Sequence, residues 1–233
     1  LAKELATLDL LSEGRLELGI GAGWMISDYE QSGIPYDSPG IRIDRFIEGL
    51  DIIKRAMADG PFSVSGRHYN VNNYEGFPKP LQRPHPPVLI GGGGKRVLTY
   101  AAHEADIIGI NGTMTAGVVG PEAISTMTSA AVDEKVDIVR AAAGARLKDI
   151  EMNIRSFFVK VTDDASGTMN GIAQMIGVEP EMVAETPFAL VGPVAKLTED
   201  LIARRERWGF SYIIVGAEDV DSIAPVVAAL NGK

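Results

Sequence analysis

A chain of 233 residues with 45% hydrophobic content can fill a sizeable core, so disorder is not expected. Its formal net charge of −9 argues against nucleic acid or an anionic membrane as the main partner, while leaving room for a local basic site. It has no cysteine, which rules out disulfides, thiolate metal sites and cysteine nucleophiles and suits a reducing cytoplasm.

The first segment, LAKELATLDLLSEGR, repeats Leu1, Leu5, Leu8 and Leu11 at helical spacing, with Gly14 placed for a C-terminal cap. Nothing precedes Leu1 to cap the helix start, so the chain is expected to begin inside a helix, as a fragment or processed sequence would. A strand is predicted over residues 16–20. It runs into Gly19-Ile20-Gly21-Ala22-Gly23 and Trp24. A dinucleotide-binding turn needs a helix to start at such glycines. Here Gly33, Pro35, Pro39 and Gly40 follow, and no helix is expected before about Ile41. Position 26, where that fingerprint wants Gly or Ala, is Ile26. The nicotinamide reading is therefore set aside.

From Ile41 an amphipathic helix places Phe46, Leu50, Ile53 and Met57 on one face, with Arg42, Arg45, Glu48 and Lys54 elsewhere. A hairpin turning near Ser65-Gly66 follows, then a proline-rich lead into a strand at residues 88–90. Further strands are predicted at 107–110, 154–161 and 212–215. Helices are predicted in KRVLTYAAHEA, in PEAISTMTSAAVDEKVDIVRAAAG with Pro121 in its first turn, in GPVAKLTEDLIARRERWG ending at Gly209, and in SIAPVVAALNG. Residues 163–190 read as a helical excursion. Strands and helices alternate, which implies a parallel sheet with crossover helices, and no linker or repeat divides residues 1–233, so a single domain is expected.

Two glycine clusters sit where predicted parallel strands end, the face on which α/β proteins bind ligands. In the second, Gly91, Gly92, Gly93 and Gly94 lead straight into a helix at Lys95 and Arg96. Four glycines make sense if the backbone must approach a ligand closely or adopt positive φ. Their N–H groups and the helix N-terminus form an anion site, and the alternative is a flexible turn with two exposed basic residues. Asn111 ends the next strand, where its amide can donate to a phosphate or ring carbonyl, or cap a turn. The three histidines, at positions 68, 85 and 103, do not fall where a general base should stand, and their spacing suggests no metal site. Asp28, Glu30 and Asp37 are either acid–base groups or a solvated acidic loop.

Three stretches together carry a family resemblance: LAKELATLDLLSEGRLELGIGAGW, FPKPLQRPHPPVLIGGGGKRVLTYAAHEADIIGIN and LVGPVAKLTEDLIARRERWGFSYIIVG. They resemble the luciferase-like monooxygenase superfamily, and within it the coenzyme F420-dependent oxidoreductases. The resemblance implies a TIM (β/α)8 barrel of the bacterial-luciferase type. In it residues 16–20 would be the fourth strand, and the first three strands would lie before Leu1. It implies a flavin or deazaflavin across the C-terminal face, its phosphate held where the fourth and fifth strands end. By position that indicates Ala22, Gly23, Trp24, Gly91, Gly92, Gly93, Gly94 and Lys95. Some flavin-using members have a basic side chain where this chain has Ala22, a departure that weighs against FMN.

The expected function is F420-dependent hydride transfer to or from a small organic substrate, by a cytoplasmic homodimer. FMN-dependent monooxygenation and non-catalytic cofactor binding are the alternatives within the superfamily, and a barrel enzyme acting on a sugar phosphate is the alternative outside it. No catalytic residue is assigned, because the family's ring-supporting strand and its histidine would lie upstream of Leu1.

Overall fold

The computed structural model describes residues 1–232. In chain order its elements are α1 (Ala2–Leu11), β1 (Leu18–Ile20), α2 (Ile26–Ser32), α3 (Pro39–Met57), β2 (Phe62–Ser65), β3 (Asn70–Tyr74), β4 (Val88–Gly92), α4 (Lys95–Glu104), β5 (Ile107–Ile110), α5 (Pro121–Ser125), α6 (Ser129–Ala143), β6 (Glu151–Arg155), β7 (Phe158–Val161), α7 (Ala165–Ile176), α8 (Pro180–Glu185), β8 (Ala189–Gly192), α9 (Val194–Trp208), β9 (Phe210–Ile214) and α10 (Val220–Leu230). The fold is α/β. Five strands form one sheet in the order β1-β4-β5-β6-β9, parallel in the pairings β1–β4, β5–β6 and β6–β9. Val88, Ile90, Ile107, Ile108 and Ile110 are buried, the continuous apolar run that a strand covered on both faces requires.

The chain forms two compact units, residues 1–90 with 104–106, and residues 91–103 with 107 onward. In the first unit, α3 buries Phe46, Leu50 and Met57 as its periodicity predicts. The predicted hairpin is present: β2 and β3 pair antiparallel, and the Gly66 N–H donates to the Tyr69 carbonyl (2.9 Å). The Glu48 carboxylate accepts from the main-chain N–H groups of Arg67, His68 and Tyr69, fastening the hairpin to α3. The α1 stripe differs from expectation. Leu5 is buried, but Leu1, Leu8 and Leu11 are exposed, and the buried face holds Asp9 instead. Gly14, at φ +77, closes the helix by donating to the Asp9 carbonyl (2.9 Å).

In the second unit, the predicted strand at 154–161 is two strands in different sheets. At Ser156 the N–H donates to Ile214 of β9, and at Phe157 it donates to the Phe188 carbonyl ahead of β8. The apolar run is continuous, so only the change of pairing partner breaks it. β8, within residues 189–192, was not anticipated as a strand, because its short apolar run merges with the helical excursion before it. β7 and β8 form a parallel pair. Leu190 faces Leu197, Ile223 and Val226, while Ala189 and Val191 face Ile172, Ala173 and Val183, the two-residue alternation of a strand covered on both sides. The helix expected from Pro121 onward is broken into α5 and α6. The Thr126 hydroxyl turns back to the Ala123 carbonyl (2.7 Å), and the Thr128 side chain caps α6 at Ala131. Gly209, at φ +84, ends α9 as expected.

Candidate functional site

The first cluster lies beyond the end of β1. A helix does form before Ile41: α2 starts at Ile26 and is stopped by Gly33 at φ +70. Gly23 has φ +74, and a Cβ there would collide with the Tyr29 hydroxyl. Trp24 is fixed through its carbonyl, which accepts from the Tyr36 hydroxyl (2.9 Å). Arg42 departs from its expected place on the outer side of α3. It is 5% exposed and donates to the carbonyls of Gly23 (3.3 Å) and Asp37 (2.5 Å), with its guanidinium 4.3 Å from the Tyr36 ring centre. Arg42 and Arg45 line a cavity of about 240 Å³ together with Ile20, Gly21, Ala22 and Tyr29. Two basic side chains of α3 thus line the cavity beside Ala22, which reading along the strand could not find.

The second cluster closes β4. None of Gly91, Gly92, Gly93 and Gly94 has positive φ among the described residues, which removes one of the two reasons for glycine there. Close approach remains. A Cβ on Gly93 would meet the carbonyl oxygens of Gly112 and Asn111, the latter at 2.6 Å. On Gly92 it would meet Val97 at 2.5 Å, and on Gly91 the Asn111 side-chain nitrogen at 3.0 Å. Gly92 and Gly93 are therefore demanded by packing within the fold itself, while at Gly91 only the end of a side-chain amide would have to give. Gly94 is the exception: nothing lies within 4 Å of its absent side chain. Its carbonyl accepts from Leu98 (3.1 Å), so α4 begins there, with Lys95 and Arg96 exposed in its first turn. A helix start leaves its first N–H groups pointing outward with partial positive charge, a cradle suited to an anion.

The main chain of Asn111 is held on both sides. Its N–H donates to the Gly92 carbonyl (2.9 Å), and its carbonyl accepts from the Lys135 ammonium (2.8 Å). Lys135 also donates to the Thr126 carbonyl (2.5 Å). It is 5% exposed, and burial pushes its pKa down to about 8. The Thr113 hydroxyl donates to the Gly93 carbonyl (3.0 Å). Lys135 was not singled out in the sequence, because its place in α6 is that of any solvated helical lysine.

The other candidates sit in ordinary surroundings. Asp37 pairs with Arg45 (2.6 Å), and Asp28 and Glu30 are exposed on α2. His103 is exposed on α4, and a ring nitrogen of His85 lies 2.9 Å from the Pro86 carbonyl. Among the described residues no group of His, Asp and Glu could hold a metal, and no helix is long and apolar enough to cross a membrane.

A parallel sheet whose strands lead into helices, with a glycine turn opening onto a helix N-terminus, defines the α/β class of protein. The chain belongs to the luciferase-like monooxygenase family, whose model matches residues 1–176. It is 28% identical over 183 residues to an FMNH(2)-dependent dimethylsulfone monooxygenase of Pseudomonas putida, which covers 78% of this chain and 46% of that one. The chain thus spans about half the length of the curated relatives it matches. Monooxygenase RslO1 from Streptomyces bottropensis superposes with a TM-score of 0.68 at 21% identity, over 92% of this chain and 65% of that one. An F420-dependent secondary alcohol dehydrogenase in complex with an F420-acetone adduct gives 0.72 at 15% identity, over 99% and 74%. Likenesses at this identity establish the fold and agree with the barrel expected from the sequence.

Proposed function

We propose that this chain carries a cofactor-holding part of an F420-dependent oxidoreductase that moves hydride to or from a small organic substrate. The observation that carries the reading is the turn from β4 into α4. Gly94 leaves open the space a side chain would fill, and it leads directly into the N-terminus of α4. Those residues fit a phosphate-bearing cofactor. The backbone at Gly94 and Lys95 would hold the phosphate, with the Lys95 ammonium adding charge. Gly91, Gly92 and Gly93 would shape the turn, and the Asn111 amide would orient a polar edge of the ring. Bound deazaflavin would supply the hydride chemistry at its C5. For the turn after β1, Ala22, Gly23 and Trp24 are likewise proposed as cofactor contacts.

FMN is a second reading, favoured by a specific observation. The Ala22 cavity is lined by Arg42 and Arg45, so the lack of a basic residue at position 22 no longer weighs against FMN. The dimethylsulfone monooxygenase relative is described as FMNH(2)-dependent. Titrating the protein separately with F420 and FMN, followed by fluorescence, distinguishes the two. Saturable binding is expected for one of them, and Gly94→Val should weaken it by about tenfold or more. Failure of both cofactors to bind would remove the reading. Binding without reduction by any donor would reduce the chain to a cofactor holder. A cytoplasmic homodimer completes the proposal, the compartment resting on the absence of cysteine.

A further inference from the structure

A second cavity, of about 210 Å³, lies within the second unit, and its chemistry is uniform. Its wall includes Met114, Ile124, Met127, Phe157, Met182 and Phe188. The one side-chain hydroxyl in the lining, that of Thr186, is already donated to the Met127 carbonyl (2.6 Å). No charged side chain lines it. Arg155 lies over the Phe157 ring, 5.5 Å from its centre, and is not part of the wall.

We propose that this cavity is the substrate pocket and that it takes an uncharged, apolar molecule or limb, somewhat larger than a single benzene ring. The proposal rests on the cofactor reading above and adds the substrate class to it. Three observations carry it. The first is size: at about 210 Å³ this half-open pocket exceeds the roughly 150 Å³ of an apolar cavity that takes benzene. The second is position. Gly112 follows Asn111, its carbonyl backs Gly93, and Met114 and Met127 lie 3.1 Å from where its side chain would be. The glycine turn and the cavity therefore share one wall. The third is composition. Methionines with flexible thioethers adapt to varied apolar shapes, and the Phe157 and Phe188 rings stack at 6.0 Å to give the wall a flat side. An ion placed here would lose its hydration and find no compensating donor, so sulfonates and carboxylates are selected against.

The test uses the whole chain, 1-octanol as the neutral probe and octanoate as its charged counterpart, with affinities read by titration calorimetry. Octanol should bind, and octanoate should bind about tenfold more weakly or worse. Met182→Trp and Ile124→Trp fill the cavity from two sides, so that one misfolded variant does not decide the matter. Each should weaken octanol by about tenfold or more while thermal unfolding stays near that of the parent. Absence of octanol binding, equal binding of octanoate, or unchanged octanol affinity in both folded variants would overturn the proposal. F420 and FMN titrations on the same proteins separate the two claims. Octanol binding without cofactor binding keeps the pocket and overturns the redox function.

Discussion

At the scale of the residue, three buried cations define how this chain uses charge. Arg42, Lys135 and Arg204 each donate to main-chain carbonyls, and none of these bonds goes to a carboxylate. Lys135 matters most, since it fixes Asn111 against the glycine turn. Removing it in Lys135→Met leaves two buried carbonyls without their donor and should cost about 2 kcal/mol in chemical denaturation. The pH dependence has a definite sign. The folded pKa of about 8 lies below the ordinary 10.5, so burial penalises the charged form. That penalty is fully present below pH 8 and is relieved as pH rises towards 10.5, while the neutral amine still has donors for both carbonyls. The stability of the parent relative to Lys135→Met should therefore increase from pH 7 to 10, by a few kcal/mol at most. The glycines separate by the same logic. Gly93→Ala meets rigid backbone and should lower stability by about 1–3 kcal/mol. Gly94→Ala meets nothing, and its effect should appear in cofactor affinity alone. A comparable loss of stability in both variants would make the whole cluster structural.

At the scale of the element, α1 is tied to the segment before β4 by one buried carboxylate. Asp9 accepts from the Gln82 main-chain N–H (2.8 Å) and side-chain amide (2.7 Å), and Gln82 in turn donates to the Leu16 carbonyl (2.8 Å). Burial raises the Asp9 pKa, but the bonds from Gln82 together outweigh it and hold it below its ordinary value. A depressed carboxylate contributes stability above its unfolded pKa and loses it as pH falls through the folded one. The Asp9 contribution should thus persist above about pH 4 and fade below it, and Asp9→Ala should cost about 3 kcal/mol at neutral pH. Hydrogen exchange should show the loss first in α1. The elements legible in the sequence are those whose signal is local: α3 by its apolar face, α4 by the glycines before it, α9 by Gly209. Those missed depend on partners far along the chain. Ser156 and Phe157 look like two more residues of one strand until β9 and β8 claim them separately.

At the scale of the molecule, the sheet order β1-β4-β5-β6-β9 gives β1 and β9 one neighbour each among the described residues. Open parallel edges carry unpaired N–H and C=O groups and invite association. The proposed dimer is checked by light scattering on the purified protein, which should give a mass near twice 24.9 kDa, and a clean monomer would count against it.

Alternation of strand and helix, the glycines ahead of Lys95 and the family resemblance were all written in the sequence, because each depends on neighbours within a few residues. Tertiary structure decided the rest. It assigned Gly92 and Gly93 to packing and left Gly94 open, since the atoms that exclude a side chain come from Val97, Asn111 and Gly112. It brought Arg42 and Arg45 beside Ala22, and Lys135 beneath Asn111. It also gathered an apolar pocket from side chains spread between Met114 and Phe188. Burial and proximity are properties of the packed chain, and no spacing along the sequence encodes them.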